Sequence, residues 1–176
     1  DDCIIVRANK VSLPENKVCE RVTVTNCNLT SYANGIRLGW MGDGVIRNCT
    51  FSNIVMTDTV TGIGISFPKF NPETPDHGRE DTVIENMSFN NIIMDDIYAH
   101  PIRISLSPSE FSRCKSIKNI FFSQVHARGL EFPFIHGNED HVVKNIHFSD
   151  CSFEKVTDND LPDYKKHGPA AWERVI

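Results

Sequence analysis

The 176-residue chain has no Cys-x-x-Cys pair and no compact group of histidines, so the usual ligand spacings of a structural metal site are missing. Neither a metal nor a cofactor is expected. Basic residues are in the minority. Eighteen Lys and Arg against 23 Asp and Glu give a net charge of -5 with the signs interspersed, and the basic stripe that nucleic acid demands is not there. No apolar run approaches the length of a membrane span. Nucleic acid and membrane are therefore excluded as expected partners. A 3.6-residue apolar period and a sustained leucine consensus are also lacking, and the abundant Asn, Thr, Ser and Gly would weaken long helices. Helical and leucine-rich solenoids fit poorly.

What is present is one short phrase written five times. Its copies are residues 19–27, 46–54, 84–92, 117–125 and 143–151. With Arg21, Asn48, Asn86, Asn119 and Asn145 as equivalent markers, the steps are 27, 38, 33 and 26 residues, so a unit of about 26 residues carries two insertions. One position after the marker stand Val22, Cys49, Met87, Ile120 and Ile146; three positions after it stand Val24, Phe51, Phe89, Phe122 and Phe148. This is the two-residue period of a strand with one buried face, and it predicts a stack of phenylalanines. Five positions after the marker, Asn26, Asn53, Asn91, Gln124 and Asp150 suit a tight bend and a ladder of like side chains. A second strand follows at Cys27, Ile54, Ile92, Val125 and Cys151. A third comes at 35–38, 62–65, 101–104 and 133–136. Three short strands per turn predict an all-β parallel β-helix, a solenoid whose coils share one continuous core over residues 1–156. Residues 157–176 lose the repeat and are expected to cap the last coil or trail in solvent.

The insertions fall at 68–81, with three prolines, and at 107–116; both follow third strands and are expected to form loops on one side. Cys27 and Cys151 share an inward position, Cys49 falls in the column of Val22 and Ile120, and Cys19 in that of Ile46 and Ile84. The cysteines thus read as small buried hydrophobes rather than disulfide partners. Glycosylation sequons occur at Asn28, Asn48 and Asn86, but two of them begin at the repeat marker, so the scaffold itself generates the match. No signal peptide is visible, and the chain opens abruptly in what looks like a third strand at residues 3–6. Earlier coils are expected to precede it.

Aligning Ile4, Ile36, Ile63 and Ile102 makes the outward columns of the third strand explicit. Asp2, Asn34 and Thr61 share one, Ile5, Arg37, Gly64 and Arg103 a second, and Arg7, Gly39, Ser66 and Ser105 a third. Carboxylates and guanidinium groups on one face suit cleavage of an acidic sugar: one carboxyl protonates the leaving oxygen, another activates water, and arginine grips a uronate. Asp1-Asp2-Cys3-Ile4 followed by the repeats, by Gly35-Ile36-Arg37-Leu38-Gly39 and by Asn48-Cys49-Thr50-Phe51-Ser52-Asn53-Ile54 resembles the C-terminal half of the family 28 glycoside hydrolases, the polygalacturonase and rhamnogalacturonase group. The resemblance covers about residues 1–155. It implies a right-handed parallel β-helix, a secreted or periplasmic monomer, and hydrolysis of a pectic backbone with inversion. By the same resemblance Asp2 is the general acid, and Asp1 works with an upstream aspartate on the attacking water.

The chain departs from the polygalacturonase pattern at two places. Gly-His-Gly becomes Ala33-Asn34-Gly35, and Arg-Ile-Lys becomes Gly64-Ile65-Ser66. Arg37 and Arg103 lie in the missing arginine's column, one coil to either side, and are candidates for the substrate carboxylate. Asn34, Arg7, His100 and Trp40 complete the candidate binding set, and His77, Arg79 and Lys69 on the long loop are further contacts. Each has a plainer alternative: solvated turn acids for Asp1 and Asp2, sheet-solvating arginines, a structural histidine, a packing tryptophan. Three other functions stay open: a non-catalytic glycan-binding module, a lyase or an epimerase.

Overall fold

In the computed structural model, residues 1–8, 17–40, 43–67, 80–106, 114–141, 143–157 and 160–161 are described. The loop candidates Lys69, His77 and Arg79, and most of the stretch after residue 157, lie outside them. The described chain is nearly all strand: β1 (Ile4–Val6), β2 (Cys19–Glu20), β3 (Thr23–Leu38), β4 (Asp43–Ser66), β5 (Glu80–Ile97), β6 (Ile102–Ser105), β7 (Cys114–Gly129), β8 (Phe134–His136), β9 (Val143–Ser149) and β10 (Ser152–Lys155). These form one sheet, with β1, β3, β4, β5, β7 and β10 in order and the short strands pairing alongside. All of its pairings are parallel.

The register follows the columns of the repeat. Val24 pairs with Phe51, Phe51 with Phe89, Phe89 with Phe122 and Phe122 with Phe148. The phenylalanine rings lie 4.8–5.0 Å apart with planes within 14°. That spacing is the separation of neighbouring strands, so backbone pairing sets the ring stack. Phe51, Phe89 and Phe122 are at most 1% exposed. Each buried ring contributes roughly 1.5–3 kcal/mol.

The long strands are not straight. β4 alone spans 24 residues, and inward residues from its whole length (Cys49, Phe51, Ile54, Met56, Ile63, Ile65) belong to one core cluster. The bends that allow this coincide with positive φ at Asn48, Asn53 and Asp58. The same three steps recur in β5 at Asn86, Asn91 and Asp96. Among the described residues twelve non-glycine positions have positive φ, and ten of these are Asn or Asp, the side chains that best tolerate the left-handed region. Their amides then pair from strand to strand: Asn86 donates to Asn48, Asn119 to Asn86 and Asn145 to Asn119 at 2.9–3.0 Å. Sequence reasoning placed a bend at the second of these positions; the marker residues and Asp58 and Asp96 are bends as well.

The cysteine columns hold in register, with Cys49 paired to Met87 and Cys19 to Ile46. Burial follows position in the stack. Cys49 and Cys114 are buried, Cys19, Cys27 and Cys151 half-buried, and Cys3 exposed with its thiol donating to the Thr30 carbonyl. Asn48 and Asn86, two of the three sequon asparagines, spend their amides on the ladder.

Candidate functional site

The outward columns of the third segment assemble where the alignment put them. Ile4 pairs with Ile36, Ile36 with Ile63 and Ile63 with Ile102, which sets Asn34 beside Thr61 and lines up Arg37, Gly64 and Arg103. Over this face lies a cavity of about 230 Å³. Six of the eight candidate residues line it: Asp1, Asp2, Asn34, Arg37, Trp40 and Arg103. Arg7 and His100 do not.

Asp2 is held from one side. Its Oδ1 accepts from the Asn34 backbone N–H at 3.0 Å and from Asn34 Nδ2 at 2.6 Å, while Oδ2 faces Arg37 Nη1 at 3.7 Å. Asn34 has room to do this because Gly64, the register partner of Arg37, carries no side chain; a Cβ there would collide with Asn34 Oδ1. Asp1 is exposed, and its carbonyl accepts from Ser31 Oγ at 2.6 Å.

Arg37 is fixed on three sides. Its guanidinium lies 4.1 Å from the centre of the Trp40 ring, Nη2 donates to the Ser66 carbonyl at 3.1 Å, and Nη1 approaches Asp2. Burial pushes this guanidinium below its ordinary value; the Asp2 carboxylate opposes that, and the charges of Arg7 and Arg103 add to it. Arg37 Nε and Arg103 Nε are both buried without a hydrogen-bond partner. Two cations with spare donors thus flank Gly64, about 10 Å apart at two strand spacings.

Arg7 has a different employment. Its Nε and Nη2 grip the Asp43 carboxylate at 2.6–3.2 Å, and the Asp43 side chain is only 1% exposed. Asp43 Oδ2 also accepts from the Trp40 N–H at 3.0 Å, and Thr82 Oγ1 donates to the Trp40 carbonyl at 2.7 Å. Asp43 therefore positions Trp40, and Trp40 positions Arg37. Sequence reasoning missed Asp43. Between Gly42 and Gly44 it looks like a solvated turn acid, and its partner is 36 residues away. His100 continues the column of Asp2, Asn34 and Thr61, but its Nδ1 is tied to the Phe132 carbonyl at 2.8 Å and its ring lies against Phe134.

No group of three or more His, Cys, Asp or Glu side chains suited to a metal ion occurs among the described residues. No family model, curated protein or solved structure matches the chain.

Proposed function

We propose that this chain is the C-terminal part of a right-handed parallel β-helix glycoside hydrolase of the polygalacturonase and rhamnogalacturonase kind, acting on an acidic pectic glycan. The observation that carries the reading is the meeting of Asp2 with Arg37 and Arg103 in one cavity, both arginines having unpartnered buried Nε atoms. Parallel register, in-line cores from successive strand segments and amide ladders at the bends support the coil architecture.

In this reading a uronate carboxylate in the cavity takes hydrogen bonds from the guanidinium groups of Arg37 and Arg103. Asn34 occupies Asp2 Oδ1 with two donors, so the proton that Asp2 delivers to the glycosidic oxygen sits on Oδ2. The bond between the anomeric carbon and that oxygen breaks as the proton arrives. Water attacks the opposite face of the ring, giving its proton to a carboxylate; Asp1 and a further acid outside this sequence serve there. The glycan's two new ends are a hydroxyl and an inverted hemiacetal.

A second reading, a glycan-binding module without catalysis, draws on the same Asn34 contacts. Two Asn34 donors on one oxygen hold the Asp2 carboxyl in place, where it can grip a sugar hydroxyl. Reducing-end release from homogalacturonan, rhamnogalacturonan and neutral glycans by the full encoded chain separates the two. Hydrolysis predicts release from an acidic substrate, reduced about 10²–10⁴-fold by Asp2→Asn. Binding without release, weakened by Asp2→Asn, overturns the hydrolase in favour of the module.

A further inference from the structure

Beyond Arg103 the outward face changes character. Arg103 pairs with Phe134 and Ser105 with His136, so both aromatic residues stand in columns that carry small or charged side chains nearer the cavity. Phe134 is 41% exposed. Its ring centre lies 5.4 Å from that of His100 and 6.0 Å from that of His136, with planes inclined by 30° and 19°. His100 is set in place by its bond to the Phe132 carbonyl. The result is a shelf of three rings on the face that holds the cavity, though none of the three lines it. Ile104, beside Arg103, is buried in the core, and its register partner Ile135 is 40% exposed like Phe134 beside it.

We infer that this shelf is a distal subsite that stacks a pyranose ring of the same glycan whose cleavage point lies over Asp2; the inference rests on the hydrolase reading. The pairings run from Asp2's segment to those of Arg37, Gly64, Arg103 and Phe134, four strand spacings in all. That is about 19 Å. A glycan must therefore be several sugars long to reach from Asp2 to the shelf. The chemistry divides along the way. Arg37 and Arg103 suit a charged substituent, whereas an exposed flat ring suits the apolar C–H face of a sugar, and the two imidazole edges offer polar contacts to its hydroxyls. A glycan lying along the strand-to-strand direction meets both in order.

The experiment is a chain-length series. Rates of cleavage and binding are measured from disaccharide to octasaccharide, using oligogalacturonides and rhamnogalacturonan oligosaccharides, for the full encoded chain and its Phe134→Ala and Phe134→Trp variants. The wild type is expected to gain in kcat/KM until the oligosaccharide reaches the shelf. In Phe134→Ala the ratio of long-chain to short-chain kcat/KM falls about tenfold, and Phe134→Trp restores it. A ratio unchanged in Phe134→Ala, with cleavage still sensitive to Asp2→Asn, overturns the shelf and leaves the hydrolase standing. Failure of the wild type to bind or cleave any member of the series overturns the hydrolase reading and the shelf with it.

Discussion

The inward and outward faces of the same strands follow opposite rules. Inside, a column repeats itself: Phe51, Phe89 and Phe122 stack at one spacing, with Ile36, Ile63 and Ile102 doing the same one segment on. Outside, along the third segment, neighbours in register differ at the cavity, as in Arg37, Gly64 and Arg103. Repetition inside is what stacking requires, because each ring must match the next. The outer columns have no such demand, and where they depart from the solvated Thr and Ser of the other faces they gather a carboxylate, two arginines and a tryptophan. In a stack of near-identical units, chemistry collects where the repeat is broken.

That contrast is open to direct attack. Phe89→Ala removes a ring buried between two others and is expected to cost about 3–5 kcal/mol in denaturant unfolding. An effect no larger than that of a surface substitution would mean the stack is not the spine of the fold. Asp43→Ala, beneath the outer face, is expected to cost about 2–3 kcal/mol, less than a wholly buried pair because Arg7 keeps 28% exposure. It also releases Trp40, so on the proposed hydrolase reading glycan affinity is expected to fall alongside stability. Two glycines in one strand separate the faces more finely. A Cβ at Gly62 meets Met94 and the Pro101 carbonyl, so Gly62→Ala destabilises by about 1–3 kcal/mol. A Cβ at Gly64 meets only the Asn34 side chain. Gly64→Ala is expected to leave the melting temperature nearly unchanged and to weaken glycan binding or cleavage about tenfold or more by displacing Asn34 from Asp2. Equal melting shifts for the two would erase the distinction.

The smaller effects concern the bends and the thiols. Asn119→Ala keeps a residue at φ 58° while losing two ladder amide contacts, for about 1–2 kcal/mol; Asn119→Gly recovers the backbone part. Burial raises the Cys19 and Cys49 thiols above 9.0, with the neighbouring thiol adding for Cys19. The folded chain therefore holds these protons more tightly than the unfolded one. Their contribution to stability is complete below pH 9.0 and is lost as pH rises through the folded values. Serine at both positions is expected to remove that alkaline slope from a titration of stability against pH.

The register was legible in the sequence because a period-two pattern with aromatic anchors has only one alignment that buries every anchor. Ile4 to Ile36 and Phe51 to Phe89 follow from it directly. The candidate site was legible in part. Column arithmetic brought Asp2, Asn34, Arg37 and Arg103 to one face, but a column says nothing about which donors are already spent. Arg7 reads as one more outward arginine until Asp43 is seen holding it with two nitrogens. Trp40 reads as a platform for sugar until its ring is found beneath Arg37. Both surprises come from Asp43, an acid that lies before the repeated phrase of residues 46–54 and so has no place in its columns.

The left-handed asparagines have a consequence for how such a chain can change its length. Because bends at fixed offsets from each marker count out the residues that enter the sheet, the connection between Phe67 and Glu80 takes no part in that count. Ser66 finds Ser105 and Asp43 finds Glu80 whatever separates them along the chain. The marker-to-marker steps of 27, 38, 33 and 26 residues are the trace of this freedom. Segments of new length can be spliced in between strands while each position in the sheet keeps its address.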